Sequence, residues 1–349
     1  MARAQKSSTE EQRSNSISQI DVARLAGVSQ AAVSRTFTPG ASISAETRKK
    51  VLAAAEQLGY RPNVIARSLI KHSTNIIGIV LVRFSNPFYW LVFREFTAKL
   101  QKLGYWTLLL NAAHDEEIED TLPTALQYQV DGIIITSATL SSKMANECVR
   151  AGTPVVLFNR YALGTEANAV CCDNVGGGRI VADALLDGGH RQLAYIAGEE
   201  KSSTNRDREQ GFTQRLQERG HSLFRRECAG EYTYLAGYEV ARGLLQSDNP
   251  PDAIFCANDL IAMGVLDLAR NELGISVPED LSIVGFDDIP MASWPNYALT
   301  TVKQPLDRMV DTAIEVLMNA IEMSTKETVM KWIPAELVVR ATTRSSRDK

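Results

Sequence analysis

The sequence predicts an N-terminal all-α helix-turn-helix head joined to a larger α/β core of doubly wound parallel sheets. Three short helical patterns, each with its own start signal, follow one another between Ile17 and Gly59. From Ile76 to Gly285, short apolar runs rich in β-branched residues alternate with helical patterns, the arrangement of βαβ units whose sheets are covered on both faces. Charge divides along the same line: residues 1–72 hold 11 Lys plus Arg against 5 Asp plus Glu, whereas the rest of the chain holds 26 against 36. A net charge of −4 therefore hides a basic head on an acidic body, the electrostatic footprint of a nucleic-acid-binding head.

The head assembles from its own signals. Ser18 with Asp21 three residues on approximates a capping box over Gln19 to Ala26, and Ser29 can cap a second helix over Gln30 to Phe37 by accepting an orphan backbone N–H. Ala26-Gly27-Val28-Ser29 between them reads as a tight turn. Val22, Ala23 and Ala26 recur at helical spacing, and Ala32 and Val33 face back toward them. Two helices this short cannot bury a core alone. A third supplies the missing wall: Ser44 opens it, Thr47, Val51, Ala55 and Leu58 form one stripe, and Gly59 stands where a left-handed residue would stop it.

Packing leaves Ser29, Gln30, Ala31, Ser34 and Arg35 of the second helix on the outer side. Gln and Arg can offer bidentate hydrogen bonds to base edges in the major groove, and Ser hydroxyls and helix N-terminal amides can hold phosphates. The plainer alternative is a small helical domain with a solvated face; the local basic charge favours DNA.

Asp21-Val22-Ala23, Ala26-Gly27-Val28-Ser29, Val33-Ser34-Arg35, Ser44 with Thr47-Arg48 and Val51, and Leu58-Gly59-Tyr60 with Pro62-Asn63, Ala66 and Leu69 together resemble the head of the lactose-repressor (LacI/GalR) family. The resemblance continues, more loosely, to about residue 343. It implies a periplasmic-binding-protein-like core of two similar parallel-sheet subdomains, and a DNA-binding set of Ser18, Ser29, Gln30, Ala31, Ser34, Arg35, Thr38, Ser44, Asn63, Ala66 and Leu69. The division it implies is a disordered arm over 1–16, the DNA-binding domain over 17–62, a hinge helix and linker over 63–74, an effector-binding and dimerisation core over 75–343, and a tail over 344–349. Within the core, an N-subdomain takes about 75–173 and 305–332, and a C-subdomain about 174–302 and 334–343.

Pro62-Asn63 resets the chain, and Val64 to Ile70 reads as one or two helical turns, too short to repay nucleation in water. The resemblance makes this segment a hinge helix that orders on DNA, pairs with its dimer mate in the minor groove and wedges Leu69 between base pairs, bending the duplex. The alternative is a flexible linker whose Leu69 packs on the core.

The core runs are Ile76 to Val82, Tyr105 to Asn111, Gly132 to Thr136, Val155 to Phe158, Leu193 to Ala197, Ala253 to Cys256 and Leu281 to Gly285. Helical patterns such as Phe88 to Leu103, Gly177 to Leu186, Gly211 to Arg219, Gly237 to Leu245 and Leu260 to Asn271 separate them. That many strands points to two sheets rather than one. Three crossovers between subdomains, implied by the resemblance, fall near Asp173 to Val175, Thr301 to Pro305 and Trp332 to Pro334, with Ala335 to Ala341 as a closing strand. The charged tail lacks leucine heptads, so a dimer is expected rather than a tetramer.

At 349 residues, 45% hydrophobic and 22% charged, the chain has the size and composition of a globular protein of two or three folding units. It has no apolar run of membrane-spanning length, and residues 1–16 lack the apolar centre of a secretory signal, so a cytoplasmic location is expected. Five cysteines without CxxC spacing read as structural thiols and the four histidines are scattered, so no cofactor or metal is expected.

In parallel α/β sheets, ligands bind beyond the carboxyl ends of strands, so the residues that follow each run are the candidates. These are Asn86-Pro87-Phe88-Tyr89, Asn159-Arg160-Tyr161, Asn258-Asp259 and Asp287-Asp288, with Arg206 and Arg208 before Gly211-Phe212. Amides, carboxylates, guanidinium groups and rings suit a polyhydroxylated ligand. Asn159, Arg208, Asn258 and Asp287 match effector-contacting positions of the family, and Phe88 and Tyr232 match places where rings line the effector pocket. Asp or Asn after a strand is also a common helix cap, the preferred reading of Asp173-Asn174 and an open one for Asp259 and Asp288. Asn159 stands where several sugar-binding relatives have aspartate, and Arg160 and Arg83 add positive charge. Those departures would suit an anionic effector, a sugar acid or sugar phosphate.

An enzyme is the first rival, but Gly176-Gly177-Gly178 lacks GxGxxG spacing and a P-loop Lys, and better serves to let a helix start pack closely. GxSxG and HExxH are absent too. A small-molecule transport binding protein would share the core but have no use for the head. A homodimeric repressor of carbohydrate-utilisation genes, released from a palindromic operator by a sugar-like effector, is the expected function, with a corepressor-dependent repressor or an activator as same-class alternatives. Leu69→Ala is expected to reduce the operator bend and the affinity; an unchanged bend in a gel-phasing assay would remove the hinge from that picture.

Overall fold

The computed structural model describes residues 17–38, 40–61, 73–82, 86–112, 123, 125–136, 142–150, 152–162, 164–323 and 328–344. Asn63, Ala66, Leu69 and Arg83 lie outside the described residues. The chain forms two compact units, a head over residues 1–72 and a core over 73–349.

In the head, α1 (Gln19–Ala26), α2 (Gln30–Thr36) and α3 (Ala45–Leu58) pack one residue from each helix into the centre: Val22, Val33 and Val51 are fully buried, walled by Ala23, Ala54 and Ala55. The caps anticipated from sequence are formed. Asp21 N donates to Ser18 Oγ while Ser18 N donates to the Asp21 carboxylate at 3.0 Å, a reciprocal capping box. Ser29 Oγ accepts from Ala32 N and Ser44 Oγ from Thr47 N. Gly27 and Gly59 close α1 and α3 at φ of 65° and 66°, in the left-handed region that a side chain disfavours.

The core contains two six-stranded sheets. The first joins β1 (Ile76–Val82), β2 (Trp106–Ala112), β3 (Gly132–Thr136), β4 (Val155–Phe158), β5 (Asn168–Cys172) and β11 (Met330–Ile333) in the order β11-β5-β4-β3-β1-β2, all parallel. The second joins β6 (Leu193–Ala197), β7 (Arg225–Cys228), β8 (Ala253–Cys256), β9 (Ser282–Asp287), β10 (Thr300–Lys303) and β12 (Glu336–Val338) in the order β12-β10-β9-β8-β6-β7, parallel except for β12. Both faces of the first sheet are buried: Ile77, Ile79 and Leu81 pack on one side, and Val80, Ile133 and Ile135 on the other.

Helices cover the sheets: α4 (Pro87–Lys102), α5 (Ser142–Arg150), α6 (Asn174–Asp187), α7 (Ser203–Glu218), α8 (Tyr234–Leu245), α9 (Asp259–Asp267) and α10 (Leu306–Met323). A π-helical turn, Leu268–Glu272, extends α9. The chain changes sheets after β5, between β10 and α10, and between β11 and β12. At these crossings Asp173 N donates to Ile333 O at 2.8 Å, tying one connection to another. β10 runs through Lys303, so the second crossing falls at Gln304-Pro305, at the end of the stretch read as a crossover.

The three glycines at the start of α6 serve close packing. A Cβ on Gly178 would lie 2.2 Å from Arg208 O and 2.8 Å from Phe212 N, and one on Gly211 would lie 2.0 Å from Val175 O. The backbones of α6 and α7 therefore touch, and that contact sets where Arg208 stands. Asp173 caps α6 through Gly176 N at 2.8 Å, as expected from sequence. The five cysteines are free thiols, four of them buried. Burial pushes Cys148 up to about 11 and Cys172 up to about 12, so neither is a thiolate at neutral pH. No helix among the described residues is long and apolar enough to cross a membrane.

Gly178→Ala is expected to lower the unfolding free energy by about 3 kcal/mol, because backbone rather than a flexible side chain must move. A denaturant midpoint equal to that of the wild type would contradict the close crossing.

Candidate functional site

On the head, Ser29, Gln30, Ala31, Ser34 and Arg35 all lie on the exposed side of α2. The serines differ in what they have left to offer. Ser18 Oγ donates to the Asp21 carboxylate at 2.6 Å, so its proton is used within its cap, whereas Ser44 Oγ and Thr47 Oγ1 lie 2.8 Å apart in a hydrogen bond that either hydroxyl can donate. Ser29 Oγ accepts from Ala32 N, which leaves its O–H as a donor for a phosphate. Thr38 Oγ1 donates to Ser34 O at 2.9 Å, closing the end of α2.

In the core, the carboxyl ends of β4, β6, β8 and β9 converge on a polar cleft, and Arg208 is its centre. The residue is only 2% exposed. Nε donates to Asn174 Oδ1 at 2.9 Å, one terminal nitrogen to Ala257 O at 2.5 Å and the other to Asp287 Oδ1 at 3.2 Å. Its guanidinium carbon lies 3.7 Å from the centroid of the Phe286 ring. One side chain thus joins the start of α6, the end of β8 and the end of β9. Gln304 Nε2, on a crossover, donates to the same Asp287 oxygen at 2.8 Å. Burial raises the Asp287 carboxyl above its ordinary range even though Arg208 pulls it down.

Asp287 has a positive φ of 119° and Asp288 one of 55°, so the turn that presents the carboxylate must be held. Asp259 holds it. Its Oδ2 accepts from Ile289 N at 2.8 Å and its Oδ1 from Thr301 Oγ1, and burial raises its carboxyl well above the usual value. This answers what the sequence leaves open for Asp259: the cap of α9 is Asn258, whose Oδ1 accepts from Ile261 N at 3.0 Å. Asp288 is not a cap either; its carboxylate pairs with Arg340 at 2.6 Å.

The opposite wall comes from the first sheet. Asn159, at a φ of 69° after β4, donates through Nδ2 to Tyr89 Oη at 3.2 Å. Arg160, the next residue, pairs with Glu199 just beyond β6, so the ends of the two sheets face one another at this point. Phe88 is 2% exposed and meets Tyr89 edge to face at 5.4 Å, which makes it a support behind the wall. Tyr232 Oη is 2.6 Å from Ser202 Oγ, and Arg160 lies 5.7 Å from the Tyr232 ring centroid.

Among the described residues, three buried amide atoms find no partner within the protein: Asn159 Oδ1, Asn258 Nδ2 and Gln304 Oε1. An unmet buried polar atom costs about 1 to 3 kcal/mol, so such a set marks a place built for a polar guest. Of the two arginines expected to add positive charge, Arg83 lies outside the described residues and Arg160 is balanced by a carboxylate, as are the two arginines of α7 near it. Arg208 is paired with Asp287, Arg160 with Glu199 at 3.0 Å, and Arg206 with Asp207 at 3.1 Å.

Of the six effector positions read from sequence, Asn159, Arg208, Asn258, Asp287 and Tyr232 gather around this cleft, with Phe88 behind it. Asn174, Tyr89 and Gln304 belong to it as well. In the sequence Asn174 reads only as part of a cap, and nothing in local pattern marks Gln304, which a crossover carries to Asp287. Arg208→Ala is expected to cost about 3 to 5 kcal/mol of core stability, because it leaves the Asp287 carboxylate buried and unpaired. Replacing both by alanine should cost less than the sum of the single changes; additive losses in a denaturant double-mutant cycle would contradict the coupling.

Residues 20–63 match the bacterial regulatory proteins of the lacI family, and residues 182–343 match the periplasmic binding protein-like domain. Catabolite control protein A of Priestia megaterium is 32% identical over 93% of this chain and 98% of its own length. Among solved structures, the lac repressor dimer bound to operator and the anti-inducer ONPF has a TM-score of 0.86 at 26% identity, covering 94% of this chain and 99% of that one. The transcriptional regulator CelR in complex with cellobiose has a TM-score of 0.70 at 30% identity, covering 93% of this chain and 99% of that one. This chain belongs to the lacI family of bacterial regulatory proteins.

Proposed function

We propose that the protein is a homodimeric transcriptional repressor that grips a palindromic operator and releases it when a neutral, polyhydroxylated effector closes the core cleft. The single observation that carries the effector class is the set of three orphaned amide atoms around the charge-balanced Arg208–Asp287 pair. Two of the three are acceptors, and the Asp287 carboxylate adds a third acceptor beside them, so the guest must bring donors, as vicinal hydroxyls do. A net anionic guest would have to displace Glu199 or Asp287 from its arginine. The cellobiose complex of the relative CelR is in keeping with a neutral sugar.

DNA binding falls to Ser29, Gln30, Ala31, Ser34 and Arg35 of α2, with Ser18, Thr38 and Ser44 at the margins and Asn63, Ala66 and Leu69 in the hinge. The lac repressor dimer on its operator supports two heads reading two half-sites. A protein that works on operators acts where the chromosome is, in the cytoplasm. Its function is regulatory and not catalytic, as in its relatives. Effector and operator are linked reciprocally, so each weakens the other by the same factor, typically about 1 to 3 kcal/mol.

Calorimetry with matched neutral sugars, sugar acids and sugar phosphates tests the effector class. Binding of a neutral sugar, with release of operator at the same concentrations, is the expected result. Tight binding confined to an acid or phosphate form would overturn it.

A further inference from the structure

The residues that follow Asn159 do something the effector site does not require: they bind the other half of the core directly. Arg160 and Tyr161 leave β4 of the first sheet and reach the segments around β6, α7 and α8 of the second. The Arg160 side chain is 5% exposed and pairs with Glu199, just beyond β6, at 3.0 Å. The same guanidinium stands over the Tyr232 ring. Tyr161 N donates to Ser203 Oγ at 3.2 Å. Tyr161 Oη donates to Asp207 Oδ1 at 3.2 Å and accepts from Arg206 at 2.7 Å, while the Arg206 guanidinium lies 5.3 Å from the Tyr161 ring centroid. Two consecutive residues therefore make an ion pair, three hydrogen bonds and two cation–π contacts across the cleft.

We propose that Arg160 and Tyr161 form a clasp between the subdomains, a pair of positioning residues that sets how readily the cleft closes. Every bond in it is protein to protein, so the chain itself contributes a standing preference for closure. An effector adds to that preference and does not have to provide all of it, which raises its apparent affinity by the fraction of molecules already closed. Where closure releases the operator, the same clasp lowers operator affinity. Loosening it should make the protein a tighter repressor with a less sensitive response. This rests on the reading above that the closed state is the one that lets go of DNA.

The test uses the full-length protein with no sugar added, as wild type, Glu199→Gln, Tyr161→Phe, and the charge swap Arg160→Glu with Glu199→Arg. Each is first shown to melt cooperatively. Amide hydrogen exchange of the peptide spanning 158–162, which holds the Tyr161 amide, should quicken about tenfold in Glu199→Gln and Tyr161→Phe, the loss expected for one charge-assisted hydrogen bond. The swap should restore protection. Operator affinity, measured with a duplex selected by the wild-type protein, should rise in both single variants and return in the swap. Unchanged exchange in both single variants overturns the clasp. Faster exchange with unchanged operator affinity overturns its regulatory role. Faster exchange with weaker operator binding upholds the clasp and instead overturns the reading that closure releases DNA.

Discussion

A guanidinium held almost wholly out of water needs partners for each of its nitrogens, and in this core Arg208 finds them on three separate elements. Leaving any of them unmet would strand charge in a low-dielectric setting. The ends of α6, β8 and β9 are thereby fixed to one another, and the Asp287 carboxylate is fixed with them. The close crossing of α6 and α7 at Gly178 and Gly211 brings Arg208 to that position. Asp259 and Gln304 secure the same turn, from behind and from the crossover. A cleft held this firmly on one side can sense a guest by what the other side does.

That other side is attached differently. Arg160 and Tyr161 reach over from the first sheet through single hydrogen bonds, ring contacts and one ion pair. Contacts of this kind are worth a few kcal/mol together, the scale on which two-state equilibria are set. A stiff half and a lightly fastened half, joined by three crossings, is the construction a ligand-responsive core needs.

Much of this is legible in the sequence because the elements announce themselves locally. The head shows its caps at Ser18, Ser29 and Ser44 and its stops at Gly27 and Gly59. Each of its three helices offers one valine, Val22, Val33 and Val51, on its apolar side. Strands β3, β4, β6 and β8 are fully buried parallel strands, so their apolar runs coincide with their bounds. The site is harder to read, for a physical reason. Helix α7 begins at Ser203, yet apolar periodicity shows only from Gly211, because Ser203, Thr204, Asn205, Asp207 and Arg208 are polar and buried together. A helix face that lines a polar cleft carries no hydrophobic stripe. Asp259 reads two ways for a related reason, since a carboxylate beside a helix start looks like a cap whichever way it points. Pairings such as Arg160 with Glu199 depend on which sheets face each other, which spacing along the chain does not record.

The most direct test of the protein as an operator reader is a selection of random duplexes by the purified full-length chain at two salt concentrations. Binding that rests only on phosphate contacts weakens uniformly with salt and enriches nothing, whereas base reading survives as sequence preference. An enriched palindrome with a defined centre at both salt concentrations, lost when Arg35 is replaced by alanine, is the expected result. Salt-sensitive binding without enrichment, equal for wild type and Arg35→Ala, would contradict a base-reading head.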